Sequence, residues 1–446
     1  MEKLPIDKEL LALAQLFPPT KKLYVVGGFV RDFLLNGKVL DGGDIDIASA
    51  LSPDELTNLL ADTQFCVTQA SPRLGTMIVK GARSYEYTTF RKDSYPEKCG
   101  AHTPCAVTFT DDIEQDCRRR DFCCNAIYFS PIDGEYVDLL GGADDIANHL
   151  LRTTRSAEQV LQEDGLRIMR LFRFVSTLGF DIDKDAWRVC QQERDFLRDI
   201  TVERIATELI KILEGDFVGK ALRLMLQSGV LEVILPELAS NDKTPQNAKY
   251  HKYDVLEHIF VTVENCPKNI RLAGLFHDIA KTYCRKQFGN TYDHARVGGD
   301  MTEQILGKYK FPNKVTAFTA RLVREHMFGV GSRVKPTTLR RYVAKNIDII
   351  DDIIALKRAD YKGTGVDFGG ENFANSLQKT KDYINERGLP TRVSGLAING
   401  DDLVAIGVKG KNIKSALDEI LDMCVLEKLV NKRDVLLAYI GSHYKG

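Results

Sequence analysis

The sequence has little of what marks a specialised class of protein. Its 446 residues contain one tryptophan and ten cysteines, and no two cysteines form a Cys-x-x-Cys pair. That density is far below that of a disulfide scaffold, so we expect reduced, mostly buried thiols. The formal net charge is -1, whereas nonspecific coating of nucleic acid needs a general excess of lysine and arginine. A nucleic-acid partner would therefore need local basic patches.

Long hydrophobic runs are also missing. No apolar segment approaches the roughly 18 residues of a membrane-spanning helix. The first 17 residues are typical of a short amphipathic helix without a signal-peptide cleavage pattern. We therefore expect a cytoplasmic protein with no membrane partner. The hydrophobic content of 44% and the charged content of 28% are ordinary globular values, and the length predicts two to four domains.

The pattern of apolar residues divides the chain. From residue 23 to about residue 150, short β-branched and aromatic runs alternate with period two, which predicts a small mixed sheet with one or two helices. After residue 155, apolar residues recur every three to four positions, which predicts helices. We predict an α+β protein with a mixed-sheet head (1–150), a helical neck (151–215), a helical body (216–370) and a helical tail (371–446).

The first candidate site lies in the head, in LYVVGGFVRDFLLNGKVLDGGDIDIA. This segment predicts strand, Gly-Gly turn, helix, loop and strand. Asp44 and Asp46 stand two apart on the second strand, so both face the same side and can share a divalent metal such as Mg²⁺. Gly27 and Gly28 would let backbone N–H groups approach a phosphate, and Arg31 adds a positive charge. Alone, Asp-x-Asp is equally typical of a solvated strand end.

Together these motifs resemble the first signature of the class II nucleotidyltransferases. That family comprises the bacterial and eukaryotic tRNA CCA-adding enzymes, their CC-adding and A-adding relatives, and bacterial poly(A) polymerases. The resemblance implies that Asp44 and Asp46 hold the Mg²⁺ of a two-metal nucleotidyl transfer to an RNA 3′-hydroxyl. Glu86 is a further catalytic candidate, with a plain polar position on an edge strand as the alternative.

The arginine run in DCRRRDFCCNA resembles the family's RRDFTxNA signature, with Cys123 where threonine is usual. The resemblance implies phosphate and ribose contacts for Arg119, Arg120, Asp121 and Asn125. A solvated charge run is the alternative.

A spaced set of charges follows in LQEDGLRIMRLFRF, where Asp164, Arg167, Arg170 and Arg173 recur every three positions and are predicted to lie on one helix. A carboxylate can accept from an exocyclic amine while an arginine donates to the neighbouring ring acceptor, which admits cytosine and adenine but not uracil or guanine. The segment resembles the family's EDxxR motif. This implies that Asp164 and Arg167 are the base template and that Arg170 and Arg173 bind nucleotide phosphates. A salt-bridged surface is the alternative.

Five of the eight histidines lie between residues 251 and 326. With two aspartates they supply nitrogen and oxygen ligands that helices can bring to one or two metals, although any one histidine is more often a core residue. The set resembles the HD phosphohydrolase signature. This implies a divalent transition metal or Mg²⁺ on His258, His277, Asp278 and Asp360, with His294 and His326 as second-metal or phosphate partners. An active phosphohydrolase is expected, with structural support for tRNA as the alternative.

The tail contains GVKGKNIKSAL, which resembles the family's Gly-rich turn at the start of a helix. Lys409, Lys411 and Lys414 near that turn are suited to an RNA backbone. A second basic stretch between Arg333 and Lys345 is a further candidate for RNA contact.

The resemblance implies a template-independent tRNA nucleotidyltransferase that adds or repairs the 3′-terminal CCA with CTP and ATP. An A-adding enzyme, a CC-adding enzyme and a poly(A) polymerase are the alternatives within the family. The segment 91–104, where the family has a flexible loop, disfavours a CC-only enzyme, and the lack of a long Arg-rich extension disfavours a poly(A) polymerase. An alternative of another class is an HD phosphohydrolase with an RNA-binding head. The sequence does not define the oligomeric state.

Overall fold

The computed structural model describes residues 3–38, 45–95, 104–329, 334–367 and 371–444. The chain divides into two compact units, residues 1–236 and 237–446. Asp44 and Arg333, which the sequence analysis names as candidates, lie outside the described residues.

Within the described ranges, all the strands belong to the first unit. They are β1 (Tyr24–Val26), β2 (Ile45–Ser49), β3 (Cys66–Ser71), β4 (Thr76–Lys80), β5 (Ser84–Thr89), β6 (Arg91–Ser94), β7 (Ala106–Phe109), β8 (Tyr128–Phe129), β9 (Tyr136–Val137), β10 (Leu150–Leu151) and β11 (Asp181–Ile182). Seven of them form one mixed sheet in the order β3-β4-β5-β2-β1-β8-β9. In this sheet β2 and β5 run parallel, and the other neighbours are antiparallel.

Alternating burial shows why these segments are strands. On β5 the side chains of Tyr85 and Tyr87 are buried, while those of Ser84 and Glu86 are exposed. A strand places successive side chains on opposite faces, so this segment covers the core with one face and meets solvent with the other. β6 and β7 form a separate antiparallel ribbon, and β10 and β11 form a short parallel pair.

Helices surround the sheet and continue beyond it. They are α1 (Lys8–Gln15), α2 (Gly28–Asn36), α3 (Pro53–Leu60), α4 (Ile113–Arg119), α5 (Gly142–Ala147), α6 (Ala157–Glu163), α7 (Leu166–Leu178), α8 (Lys184–Glu193), α9 (Val202–Glu214), α10 (Val218–Gln227), α11 (Val230–Ile234) and α12 (Pro236–Ala239). The predicted amino-terminal helix is confirmed as α1, which buries Leu10 and Leu13. Helix α7 packs against both α9 and α10.

One helix prediction is wrong in detail. Asp164 does not share a helix with Arg167, because the chain breaks between α6 and α7. Asp164 has an extended backbone, and its Oδ1 accepts a hydrogen bond from the backbone N–H of Leu166 at 3.0 Å. A Cβ at Gly165 would lie 3.1 Å from the Cβ of Phe196, so the break is also a point of close packing. Asp164 therefore lies between the two helices, whereas Arg167, Arg170 and Arg173 all lie on α7.

In its described residues the second unit is all helical. Its helices are α13 (Val255–Asn265), α14 (Arg271–Phe276), α15 (Lys281–Phe288), α16 (His294–Lys308), α17 (Asn313–Glu325), α18 (Pro336–Lys345), α19 (Ile350–Gly363), α20 (Glu371–Glu386), α21 (Gly400–Ala405), α22 (Lys411–Val425) and α23 (Arg433–His443). One apolar core includes Leu322, Val343 and Leu356. A second, in the tail, includes Ile420 and Leu436. The predicted α+β class, a mixed-sheet head followed by helices, is confirmed.

None of the helices in the described ranges is long and apolar enough to cross a membrane.

Two helical glycines of the second unit allow a test of its packing. A Cβ at Gly363 would lie 2.2 Å from Thr262 Oγ1 and 3.1 Å from the carbonyl oxygen of His258, whereas a Cβ at Gly307 would meet no heavy atom within 4 Å. We expect Gly363→Ala to lower the free energy of unfolding by about 2 kcal/mol through overpacking. Gly307→Ala should raise it by about 0.5 to 1 kcal/mol, since alanine favours helix.

The measurement is urea unfolding of each variant, followed by the helical circular-dichroism signal. Equal midpoints for the two variants would contradict the close approach of α13 and α19.

Candidate active site and metal centre

The first candidate site is centred on the turn between β1 and α2. Gly27 follows β1 with φ of 80° and ψ of -142°, a conformation that favours glycine. A Cβ at this position would also lie 2.8 Å from Asp46 Oδ2. The Asp46 carboxylate therefore lies against the Gly27 backbone, and Gly28 starts helix α2 directly beside it. This arrangement combines a carboxylate with a turn whose N–H groups can receive a phosphate.

Glu86 is the cross-strand neighbour of Asp46, because β2 and β5 pair in parallel with these two residues in register. Neighbours in register on adjacent strands project to the same face of a sheet. Asp46 is half-buried and Glu86 is exposed, so the two carboxylates flank one open sheet face. Oxygen ligands of this kind are those that Mg²⁺ prefers.

Arg31 and Asn125, predicted separately, are in direct contact. Arg31 Nη1 donates a hydrogen bond to Asn125 Oδ1 at 2.6 Å. Its Nε and Nη2 lie 2.8 and 2.7 Å from Asp32 Oδ1. Arg31 is 8% exposed and Asn125 is 7% exposed, so this polar pair is fixed inside the first unit.

The arginine run lies at the end of helix α4 and is divided between solvent and interior. Arg118 is exposed and pairs with Glu114. Arg119 Nε and Arg120 Nη2 instead contact the two oxygens of Asp116 at 2.6 and 3.2 Å. Burial alone would raise the pKa of Asp116, but Arg119 and Arg120 lower it. Of the three arginines in the run, only Arg118 is therefore a solvated surface charge.

Asp116 is a residue that the sequence analysis missed. It is fully buried, and Tyr128 also donates its hydroxyl hydrogen bond to Asp116 Oδ2. Burial alone would lower the pKa of Arg120, but Tyr128 and Asp116 raise it, with a smaller effect in the same direction from Asp46. An acidic residue three and four positions before two arginines on a helix is the signal that could have identified it.

Asp121 is held by Arg170, which comes from helix α7. Arg170 Nε donates to Asp121 Oδ2 at 2.6 Å, and Asp121 Oδ1 accepts from the backbone N–H of Phe122 at 2.9 Å. Burial alone would raise the pKa of Asp121, but Arg170 outweighs it and lowers the pKa to about 2. Asp121 therefore stays ionised, and the pair links the arginine segment to helix α7.

The predicted base-template residues, Asp164 and Arg167, make different side-chain contacts. Asp164 Oδ2 accepts from Nη2 of Arg204, on helix α9, at 3.0 Å. Arg167 is 7% exposed, and its Nη1 donates to Glu163 Oε2 at 3.0 Å. Both groups are thus oriented by neighbours at the junction of α6 and α7.

Arg167 also contacts the head. Its Nη2 donates to the carbonyl oxygen of Arg119 at 3.0 Å and to the hydroxyl of Tyr95 at 3.4 Å. Tyr95 follows the β6 strand, so Arg167 joins the neck to the arginine segment and to the β6–β7 ribbon.

Arg173 contacts Glu208, at 3.1 Å from its Nη1 to either carboxylate oxygen. Glu208 lies on helix α9 and is not among the candidates that the sequence analysis names. Glu208 is 5% exposed and shares the buried face of α9 with Ile205 and Leu209. A glutamate on an apolar helix face is a signal of a buried ionic partner, since such residues are almost never buried unpaired.

The second candidate site lies in the second unit and is built from oriented histidines. The Nδ1 atoms of His277, His294 and His326 lie 2.8, 2.6 and 2.6 Å from backbone carbonyl oxygens three residues earlier. A carbonyl can only accept, so each Nδ1 carries the proton and each Nε2 presents a lone pair. This is how proteins orient imidazole ligands toward a metal.

Two groups of ligand atoms meet at Asp278. Asp278 Oδ2 lies 3.2 Å from Nε2 of both His258 and His277. Asp278 Oδ1 lies 3.0 Å from Nε2 of His294 and 3.5 Å from Nε2 of His326. The two sets, His258/His277/Asp278 and Asp278/His294/His326, each have the spacing of a metal site. Asp278 would bridge two ions.

Asp360 completes the first set, with Oδ1 at 3.1 Å from His258 Nε2 and 3.7 Å from His277 Nε2. Both Asp278 oxygens are buried, and within the described chain Oδ1 faces imidazole nitrogens but no lysine or arginine. Buried carboxylate oxygens need a donor or a cation, so the donor set fits divalent metal. The described positions thus bring together all six residues that the HD resemblance implies.

Lys281, which the sequence analysis did not single out, also reaches this centre. Its Nζ lies 2.6 Å from Asp278 Oδ2 and donates to Gln246 Oε1 at 2.9 Å. It lies three residues after Asp278, on the first turn of α15, a spacing that could have revealed it.

The three tail lysines lie beside the turn that precedes helix α22. Lys409, Lys411 and Lys414 are all exposed around Gly410, which precedes helix α22 with φ of 59°. In the second basic stretch, Arg340 Nη1 lies 2.8 Å from Glu427 Oε2, and Arg341 Nε contacts Asp422. These two arginines connect α18 to the tail through ion pairs. The three lysines are exposed to solvent.

Comparison with known proteins agrees with this order of sites. Three family models match the chain: the poly A polymerase head domain at residues 23–152, the "probable RNA and SrmB-binding site of polymerase A" at 179–241, and the HD domain at 253–360. The first model contains the Asp46 site, and the third contains the histidine centre.

A curated relative, a CCA-adding enzyme of Geobacillus sp. (strain WCH70), is 36% identical over 255 residues, which is 57% of this chain. The match spans 61% of the relative's own length. Two solved structures share the fold. The CCA-adding enzyme of Bacillus stearothermophilus in complex with CTP has a TM-score of 0.71 at 24% identity, covering 98% of this chain and 96% of that one. The Thermotoga maritima CCA-adding enzyme complexed with tRNA-CCA has a TM-score of 0.57 at 20% identity, covering 98% and 96%.

The Asp121–Arg170 pair predicts a pH dependence of stability. The pKa of Asp121 is lowered to about 2, below that of an aspartate in an unfolded chain. The native state therefore gains stability, by about 2 kcal/mol, at pH values above about 4, and loses it as the pH falls from about 4 to about 2.

The measurement is the free energy of unfolding of wild type and Asp121→Asn as a function of pH. The difference between them should be largest near neutral pH and shrink as the solution is acidified through this window. A difference that stays constant down to pH of about 2 would refute the assignment.

Proposed function

Because the chain belongs to the class II nucleotidyltransferases that carry an HD domain behind the head, we propose that it is a template-independent tRNA nucleotidyltransferase. It adds or repairs the 3′-terminal CCA of tRNA with CTP and ATP. The observation that carries the proposal is the Asp46 carboxylate packed on the Gly27 turn, in the same unit as a set of carboxylate-paired arginines.

Asp44 and Asp46 would hold Mg²⁺, with Glu86 beside Asp46. The metal supplies charge neutralisation at the attacking 3′-hydroxyl and at the departing pyrophosphate. The turn at Gly27 and Gly28 offers backbone donors to the triphosphate, which glycine permits by removing side chains from the approach.

Arginines bind the rest of the nucleotide. Arg31, Arg170 and Arg173 receive the phosphates, while Arg119 and Arg120 contact phosphate and ribose. Arginine suits this task because its planar fork matches phosphate oxygens and it remains charged at any physiological pH. Asp121, Asn125 and Asp116 hold these side chains in place through the contacts described above.

Base selection rests on Asp164 and Arg167. The Asp164 carboxylate accepts from the exocyclic amine of cytosine or adenine, and the Arg167 guanidinium donates to the adjacent ring acceptor. Uracil and guanine present the opposite donor and acceptor order at these positions. Arg204 and Glu163 orient the pair, so the protein itself serves as the template.

We assign the tRNA acceptor end to the helical part of the chain. The exposed lysines Lys409, Lys411 and Lys414 next to Gly410 suit a phosphodiester backbone. The working division is head 1–150, neck 151–215, HD body 216–370 and RNA-binding tail 371–446.

We also propose a cytoplasmic location, in keeping with the chemistry of the thiols. The nine cysteines within the described ranges are all free. Free thiols are typical of a reducing compartment.

The primary test is incorporation of labelled CMP and AMP into three tRNA substrates, ending before CCA, after C and after CC. Each is supplied with CTP alone, ATP alone or both. Completion of CCA with both nucleotides supports the proposal. Only AMP added to the CC end indicates an A-adding enzyme, and CMP without AMP indicates a CC-adding enzyme. Long AMP tails would indicate a poly(A) polymerase.

Asp46→Asn should reduce incorporation by about a thousandfold, because the loss of metal clamping removes several kcal/mol of transition-state stabilisation. Binding of tRNA, measured by gel shift, should be unchanged. Asp62→Asn, an exposed aspartate of the same unit, is the matched control and should retain full activity. Transfer that survives Asp46→Asn would refute the assigned role.

A second activity is favoured by the histidine centre. We propose that the second unit is a metal-dependent phosphohydrolase whose two ligand sets, which share Asp278, would hold divalent ions that supply charge neutralisation at a phosphate. The Nε2 atoms of His258 and His277 face one Asp278 oxygen, and those of His294 and His326 face the other. A phosphohydrolase lacking transfer altogether is the alternative of another class, and the incorporation assay separates the two.

The metal content of purified, desalted protein tests this centre independently of activity. Wild type should contain about two divalent ions per chain, His326→Gln about one, and Asp278→Asn almost none. His443→Gln, which changes an exposed histidine outside the site, is the control. Hydrolysis of 2′,3′-cyclic nucleotides should follow the metal content. Equal metal content in wild type and Asp278→Asn would contradict the bridge.

A further inference from the structure

Three arginines meet at one aromatic ring in the first unit. The guanidinium carbons of Arg31, Arg170 and Arg173 lie 5.3, 5.6 and 4.6 Å from the ring centroid of Phe174. Phe174 is 6% exposed, and its ring packs edge-on against Phe122, with 5.5 Å between centroids. A cation within about 6 Å of an aromatic centroid is attracted by the ring quadrupole. The ring is therefore a common point of contact for cations from two different helices.

Each of these arginines is also held by its own carboxylate. Asp32, Asp121 and Glu208 pair with Arg31, Arg170 and Arg173 respectively. The carboxylates bind N–H groups, whereas the ring attracts the guanidinium without consuming an N–H donor. Among the described residues, Arg170 contacts Asp121 through its Nε and Nη2. These contacts leave the N–H donors of Nη1 for a ligand.

Three cations gathered in this way repel one another. Burial lowers the pKa of Arg173, and the neighbouring cations Arg170 and Arg31 lower it further. Glu208 raises this pKa but does not outweigh them. A cluster of this kind favours a multiply charged anion, which relieves the repulsion among the cations. The side chain of Arg170 is 33% exposed, so the cluster is accessible from solvent.

We propose that Phe174 is a positioning residue that aligns Arg31, Arg170 and Arg173 into one binding site for the polyphosphate of the incoming nucleotide. The inference rests on the proposed function, but it concerns an anion that binds whichever base is attached. Phe174 itself contacts no substrate and acts through the three arginines. Its role is consequently distinct from that of Asp164 and Arg167, which select the base.

The test compares wild type with Phe174→Leu, which removes the ring, and Phe174→Tyr, which keeps it. Inorganic pyrophosphate is the probe, and its dissociation constant is measured by calorimetry. We expect Phe174→Leu to weaken pyrophosphate binding by about tenfold, and to raise KM for CTP and for ATP by similar factors. Discrimination of CTP against UTP should be unchanged. Phe174→Tyr should restore wild-type values.

Phe172→Leu is the matched control, since Phe172 lies on the same helix, is fully buried and shows no cation contact in the described residues. It should lower the melting temperature as much as Phe174→Leu but leave pyrophosphate binding unchanged. Phe174→Met, which fills more of the space, replaces Phe174→Leu if the latter does not fold.

Unchanged pyrophosphate binding in Phe174→Leu or Phe174→Met overturns the inference, and so does an equal loss in Phe172→Leu. Absence of nucleotide incorporation by wild type would refute the proposed function instead. The pyrophosphate measurement would still decide the role of Phe174, because it requires no transfer.

Discussion

Pairing of partly buried arginines with buried carboxylates holds the head site together. Asp116 forms ion pairs with Arg119 and Arg120, Asp121 with Arg170, and Glu208 with Arg173. A charge removed from water without a partner is costly, and breaking one buried pair typically costs about 3 to 5 kcal/mol. The same contacts therefore stabilise the fold and orient the side chains that would meet a nucleotide. In this unit, site geometry and stability depend on one set of interactions.

The histidine centre of the second unit also orients buried polar side chains, but it uses imidazoles and one shared carboxylate instead of arginine–carboxylate pairs. Three imidazoles are oriented by backbone carbonyls, and Asp278 is shared between two groups of nitrogen ligands. Neutral imidazoles are less costly to bury than guanidinium ions, but their inward lone pairs and the carboxylate need a cation. The described residues of each centre lie within one compact unit, so each chemistry can be tested separately.

Much of the fold could be predicted, because strand and helix periodicities are local properties. The period-two runs became β1 to β5 and β8, and the amphipathic segments after residue 155 became helices. The joint between α6 and α7 was missed because the helical pattern continues across it. At the break, the Asp164 side chain accepts from the backbone N–H of Leu166, and Gly165 packs closely on Phe196. That packing partner is more than 30 residues away and leaves no trace in the local pattern.

By itself, the sequence determined which chemical groups are present and their order: the Gly-Gly turn before Asp46, the arginines of the neck and the six metal-capable residues of the HD pattern. These features depend on residue type and spacing along the chain. Only the tertiary structure decided the partners. Asp164 meets Arg204, Arg173 meets Glu208, and Arg31 meets Arg170 and Arg173 at Phe174. Such contacts join residues far apart in sequence, and they follow from the way whole helices and strands pack, which no short motif encodes.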